Sequence, residues 1–364
     1  QGIGGKAISR EYAAGGQALA AGLFAGAIEA GVPIWTNCEL VSLIEEDGRV
    51  VGAIAKQGDK EVTIRASRGV ILAAGGFDHN MEMRREHQSP SLVEDLSLGA
   101  ETNTGDAINA AVEAGADTAF MEQSWWFPAV APLAEGEAPM VLLAERSLPG
   151  SLMVDQHAKR FINDATDYMT FGQKVLEREK SGDPVEEMWL VFDKEYSDSY
   201  VFAGSVFPMM ELPESFYEAG IAVKADNPRE LAEKAGLDPD AFDETMYRYN
   251  HLAGLGVDGD FHRGDSAYDR YYGDPTQQPN PNLRPLKGKL FAVKVVLSDL
   301  GTCGGVKANE HGQALDIEGT PIPGLYVVGN NAGNVFGNRY PGAGATIGQG
   351  LVFSKIAADH IAAS

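Results

Sequence analysis

The sequence predicts an α/β protein, in which part of a Rossmann-like nucleotide-binding fold with a β-meander carries an inserted α+β domain. Three observations predict it. Val70-Ile71-Leu72-Ala73-Ala74-Gly75-Gly76 is a continuous apolar run ending in two glycines, as a strand buried on both faces does. Gly324–Asn330 is a second such strand ending in glycine, and a glycine-rich helix start follows it. Between them, from about Phe120 to Leu297, lie most of the aromatic residues and prolines, together with helical patterns of their own.

Taken in order, Tyr12–Glu29 is rich in Ala and Leu and free of proline, which predicts a buried helix stopped by Gly31. Ile34–Leu43 and Val50–Lys56 alternate as strands on either side of Glu46-Asp47-Gly48, a hairpin turn, and Glu61–Ala66 follows Gly58-Asp59 as a third strand. Asn103–Gly115 has cap residues, apolar spacing and a glycine stop, which predicts a helix. Further helices are predicted at Pro228–Ala235, Asp240–Leu255 and Ala345–Ala362. The expected organisation is residues 1–120 and 299–364 for the nucleotide-binding domain, with 121–298 as the inserted, catalytic domain.

Of the 364 residues, 44% are hydrophobic, enough for a large core, and 43 are glycine. The formal net charge of −23 argues against a nucleic-acid partner, which would need clustered Lys and Arg. Cys38 and Cys303 form no paired motif, which fits a reducing, cytoplasmic setting. The seven histidines lack metal-ligand spacing, so no metal is expected. No apolar run is long enough for a membrane span.

Glycine at Gly75 and Gly76 would let the backbone approach a flat or phosphorylated ligand closely. Tyr340-Pro341-Gly342-Ala343-Gly344-Ala345-Thr346-Ile347-Gly348 feeds the last helix, whose free N–H groups suit the electron-rich edge of a flavin. Gly2-Ile3-Gly4-Gly5-Lys6-Ala7 fits the G-x-G-x-x-A pattern only formally. No strand precedes it, and a loop entering a helix is the better reading.

Together these segments resemble the flavoprotein superfamily of fumarate reductase and succinate dehydrogenase, and within it the 3-ketosteroid Δ1-dehydrogenases. The resemblance is carried by Leu72–Phe77, Asn103-Thr104-Gly105-Asp106, Arg160-Phe161-Ile162-Asn163-Asp164, Gly301-Thr302-Cys303-Gly304-Gly305, Gly324–Asn330 and Tyr340–Gly348. It implies FAD, held by Val41, Ala74, Gly75, Gly76, Gly305, Gly329, Asn330, Ala345, Thr346 and Ile347. Members of the branch also carry an N-terminal strand, a G-x-G-x-x-G loop and a tyrosine assisting the base, none of which this sequence contains. A further segment or partner chain is therefore expected to complete the flavin site.

The implied chemistry removes hydrogen from two adjacent carbons beside a ketone. Tyr340 and the Gly344 N–H would hold the C3 carbonyl oxygen, Tyr168 would take the C2 proton, and flavin N5 would accept the C1 hydride. Trp125, Trp126 and Phe127 are candidates for an apolar wall against a steroid, though such a triplet also suits a domain core. Tyr268, Tyr271 and Tyr272 are expected to be structural. A dicarboxylate reductase is the nearest alternative and would need arginine clamps, with Arg160 and Arg339 the candidates. A Δ4-dehydrogenase or another cyclic-ketone dehydrogenase is chemically closer. A non-catalytic subunit needing a partner chain is the alternative of another class.

Overall fold

The computed structural model describes residues 14–363, so the Gly2–Ala7 loop and the expected start of the first helix at Tyr12 lie outside the described residues. The described chain divides into two units. The smaller contains residues 14–42 and 53–65, and the larger contains 43–52 and 66–363.

In the smaller unit, α1 spans Gly15–Glu29. The helix is present but the expected burial is not: Leu19, Leu23, Phe24 and Ile28 are exposed. A helix apolar on every side needs partners on every side, and the described residues leave this one uncovered. The meander follows as β1 (Cys38–Glu46), β2 (Arg49–Gln57) and β3 (Lys60–Arg65), ordered β1-β2-β3, with its turn residues 43–52 counted in the larger unit. Asp47 and Gly48 take φ of 51° and 73°, the left-handed pair of a tight hairpin turn. β1 begins at Cys38 rather than Ile34 because Asn37, with φ 52°, interrupts the extended backbone.

In the larger unit, β4 (Val70–Leu72) ends before Ala73, earlier than the apolar run suggests. The backbone there leaves the ladder, and the Ala74 N–H donates instead to Asn331 Oδ1 at 2.6 Å. The predicted helix at Asn103–Gly115 spans Asp106–Glu113.

The inserted region is built on a six-stranded sheet. Its parts in chain order are β5 (Ser124–Val130), β6 (Met140–Val141), β7 (Ser151–Asp155), α2 (Tyr168–Lys180), β8 (Met188–Asp193), β9 (Ala222–Ala225), α3 (Pro228–Ala235), α4 (Pro239–Leu255), α5 (Ala267–Tyr271) and β10 (Leu290–Thr302). The strand order is β6-β5-β10-β8-β7, with β9 also on β10. Every residue of β8 is buried, and its period of two divides them between the faces. Met188, Leu190 and Phe192 join Phe171, Tyr196 and Phe202 on one side, while Trp189 and Val191 join Leu231, Phe242, Met246 and Tyr249 from α3 and α4 on the other.

The chain then returns through β11 (Gln313–Leu315) and β12 (Pro321–Val327) to α6 (Ala345–Ala363). β12 pairs in parallel with β4, Leu325 opposite Val70 and Val327 opposite Leu72. This pairing makes the sheet that carries β5–β10 an insertion between two adjacent strands of the Rossmann-like part, the architecture the sequence predicts.

α2 lies so close to β5 that a Cβ at Gly172 would sit 2.3 Å from Trp126 Cβ. Gly172→Ala is therefore expected to destabilise the protein by about 1–3 kcal/mol, as overpacking of a full core does. A melting temperature equal to the parent's would contradict this. Among the described residues no helix is long and apolar enough to cross a membrane.

Candidate active site

Tyr168 is the first residue of α2, and Asp167 caps that helix by accepting the Thr170 N–H at 2.9 Å. The cap fixes where α2 starts, and with it the direction of the Tyr168 side chain. The close seating of α2 on β5 then sets this ring beside Trp126 and Phe127. All three residues line a cavity of about 260 Å³ together with Trp125, Tyr272, Tyr340 and Gly344. Tyr168 and Tyr340 have ring centroids 5.6 Å apart, and Tyr340 meets Trp125 edge-on at 5.5 Å. Leu143, Met169, Leu300, Ala343 and Thr346 complete the wall. Among the described residues no Lys, Arg, His, Asp or Glu side chain lines it.

Three carboxylates near the site, Asp164, Asp258 and Asp299, are already paired. Arg160 makes a two-pronged pair with Asp258, at 3.0 and 2.8 Å, and also reaches Asp164 at 2.9 Å. That engagement removes Arg160 as a dicarboxylate clamp, contrary to the alternative weighed from the sequence. Buried Arg84 pairs with Asp299 at 2.7 Å, and Asp299 also accepts from Ser97 and the Gly301 N–H. This network holds the strand end that brings Leu300 to the cavity wall.

The expectation that Tyr268, Tyr271 and Tyr272 are structural needs correction. Tyr272 lines the cavity, and Tyr268 and Tyr272 each lie 6.3 Å from the Tyr168 ring. Only Tyr271 is a surface residue, at 79% exposure. Their spacing of four puts Tyr268 and Tyr272 on one helix face, but nothing in it points to Tyr168. Burial, followed by the Tyr272 and Tyr268 phenols, holds the Tyr168 hydroxyl well above the usual tyrosine range. Burial likewise raises Tyr340, and it pushes Tyr268 up to about 12.

The predicted cofactor residues separate into kinds. At Gly329, Gly342, Gly344 and Gly348 a Cβ would meet nothing within 4 Å, and Gly329, Gly342 and Gly344 adopt φ of 63°, 145° and 90°. These positions, with Asn330, Ala345, Thr346 and Ile347, form an open glycine surface at the start of α6. The first-turn N–H groups of Thr346 and Ile347 have no backbone acceptor among the described residues. Such a surface fits a flat ring with an electron-rich edge.

Gly75, Gly76 and Gly305 are closely packed on the side that a Cβ would occupy. A Cβ there would strike Asn103 Oδ1 at 2.2 Å, Thr302 Oγ1 at 1.9 Å and the Asn331 carbonyl oxygen at 2.5 Å, so internal packing requires them. Asn330 accepts a hydrogen bond from Trp125 Nε1 at 3.2 Å, which ties the glycine surface to the cavity wall. Val41 lies on β1 in the smaller unit.

The sequence profile described as "FAD binding domain" matches residues 5–347. The chain belongs to the FAD-binding domain family. FAD is the cofactor of this family, and the open surface at the start of α6 fits it. Among its relatives, a 3-oxosteroid 1-dehydrogenase of Mycolicibacterium smegmatis is 44% identical over 99% of this chain and 64% of its own length. A 4-oxocyclohex-2-ene-1-carboxylate 5-dehydrogenase of Sinomonas cyclohexanicum is 35% identical over 95% of this chain and 60% of its own. The crystal structure of a 3-ketosteroid Δ1-dehydrogenase of Sterolibacterium denitrificans, with 1,4-androstadiene-3,17-dione, matches with a TM-score of 0.88 and 37% identity. That match covers 96% of this chain and 63% of the other. The chain thus spans somewhat less than two thirds of the length of these family members.

Proposed function

We propose that this chain carries the substrate site of an FAD-dependent dehydrogenase that introduces the C1–C2 double bond into a 3-ketosteroid. The observation that carries the reading is the apolar cavity lined by Tyr168, Tyr340, Gly344 and the Trp125–Phe127 wall. In this reading residues 121–298 are the catalytic domain, and 1–120 and 299–364 belong to the FAD-binding domain. Gly329, Asn330 and Ala345–Ile347 hold the cofactor, which when bound supplies the hydride acceptor. The free cysteines Cys38 and Cys303 support a cytoplasmic setting.

Tyr340 donates its phenolic proton, and Gly344 its N–H, to the C3 carbonyl oxygen, where negative charge grows as the α-proton leaves. Tyr168, as phenolate, takes the proton from C2, the electron pair passes toward the carbonyl, and its return as hydride leaves C1 forms the C1–C2 double bond. Trp125, Trp126 and Phe127 exclude water along the steroid's apolar face, which strengthens these hydrogen bonds.

A ring ketone bearing a carboxylate is the second reading, favoured by the Sinomonas relative. The cavity wall weighs against it, because among the described residues it offers no basic side chain to such a group. Incubating the holoenzyme with androstenedione and an artificial electron acceptor tests the choice. The expected product is the 1,4-diene. No turnover of the steroid, with turnover of 4-oxocyclohex-2-ene-1-carboxylate, would replace the first reading by the second.

The raised Tyr168 hydroxyl gives the pH dependence. Its reactive form is the phenolate, and a raised pKa keeps that form scarce at neutral pH, so kcat is expected to climb through neutral into alkaline pH. A profile that falls over that range would exclude Tyr168 as the base.

A further inference from the structure

Arg146 does not line the cavity, yet it is only 1% exposed and stands beside the base. It sits in the short turn Glu145–Ser147. Its Nη1 donates to the Asp164 carbonyl oxygen, while its Nε and Nη2 are buried without a partner. Among the described residues no carboxylate forms an ion pair with it. The Asp164 carboxylate is already engaged by Arg160 at 2.9 Å and by Arg263 at 3.1 Å. The guanidinium lies instead 5.6 Å from the Tyr168 ring centroid and 5.5 Å from that of Phe171.

A buried cation with unfilled donors and no carboxylate in direct contact is costly unless something offsets it. An aromatic face offers a partial offset, and it attracts a cation more strongly once a phenol has become a phenolate. We infer that Arg146 is the positioning residue for proton removal, its buried and unpaired charge favouring the phenolate of Tyr168 over the phenol. The inference rests on the dehydrogenase reading and names what makes its base usable.

The groups that face Tyr168 show why a cation is needed there. Tyr268 and Tyr272, from α5 and its end, raise the Tyr168 hydroxyl. Tyr340 adds a third phenol from the segment before α6. Asp164 and Asp167, ahead of α2, carry negative charge toward Arg146, as does Glu145 beside it. Arg146 acts in the opposite sense, and against the effect of burial it pulls the Tyr268 hydroxyl down.

Three variants of the holoenzyme test the assignment. Arg146→Gln removes the charge but keeps a donor for the Asp164 carbonyl, Arg146→Met removes both, and Arg146→Lys keeps the charge. The readouts are the pH profile of kcat and the ultraviolet titration of tyrosinate, with the Tyr168 signal identified by its loss in Tyr168→Phe.

In the Gln and Met variants the limb of the profile and the Tyr168 signal should move up by about 1 unit or more. The rate should be about tenfold lower at neutral pH and recover at alkaline pH, with Arg146→Lys near the parent. Equal loss at every pH, or an unmoved Tyr168 signal, would overturn the inference. So would collapse of both uncharged variants while Arg146→Lys folds, which would make the charge structural. If the parent turns over no 3-ketosteroid, the dehydrogenase reading fails by itself and the titration alone decides the role of Arg146.

Discussion

Replacing Tyr340 by Phe is expected to lower kcat by about 10²–10³, with a much smaller change in steroid affinity. The hydroxyl is one of two donors meant for the carbonyl oxygen, and its value lies in the charge that develops there as the C2 proton leaves. A hydrogen bond to a neutral ketone is worth about 0.5–1.5 kcal/mol, whereas one to a growing oxyanion in a water-free cavity is worth several times more. Phe keeps the ring that meets Trp125 at 5.5 Å and Tyr168 at 5.6 Å, so the wall should survive the change. Stopped-flow reduction of the holoenzyme separates the two effects. A loss confined to KM would show that Tyr340 holds substrate without stabilising its enolate.

Tyr168→Phe is expected to lower kcat by about 10²–10⁴, the usual range for loss of a positioned general base. The substitution removes one oxygen and leaves the first turn of α2, the Asp167 cap and the packing against Phe127 and Ala129 in place. Steroid binding should therefore persist. Exchange of the substrate's C2 hydrogen in deuterated water reports the base directly: the parent should catalyse it and the variant should not. Undiminished exchange in Tyr168→Phe would move the base role to another group on the cavity.

What the sequence made legible follows from local chemistry. The strand endings at Gly75-Gly76 and Gly329, the α3 and α4 helices and the glycine-rich start of α6 are set by residues close to them in the chain. Their limits were read to within a few residues, Pro228–Ala235 among them. The tyrosines of the cavity could be named because each sits in a short motif, Arg160–Asp164 just ahead of Tyr168 and Tyr340–Gly348 around the other. Tyr268, Tyr272 and Arg146 carry no such motif. They reach Tyr168 only through the packing of α2, α5 and the Glu145–Ser147 turn, which no local pattern records.

The internal packing of three glycines was not legible for a related reason. At Gly75, Gly76 and Gly305 the sequence suggests close approach of a ligand, and it gives no sign that Asn103, Thr302 and Asn331 lie where a Cβ would be. The exposure of Leu23, Phe24 and Ile28 on α1 was not legible either, because apolar composition states what a helix would bury and not what covers it.

The central claim is that Tyr168 and Tyr340 act together on one ketone held against the cofactor. Anaerobic addition of a 3-ketosteroid to the holoenzyme, followed by the flavin's visible absorbance, tests it most directly. Rapid loss of that absorbance in the parent, with a rate reduced at least about a hundredfold in both Tyr168→Phe and Tyr340→Phe, is the result this account predicts. Parental rates of bleaching in both variants would contradict it.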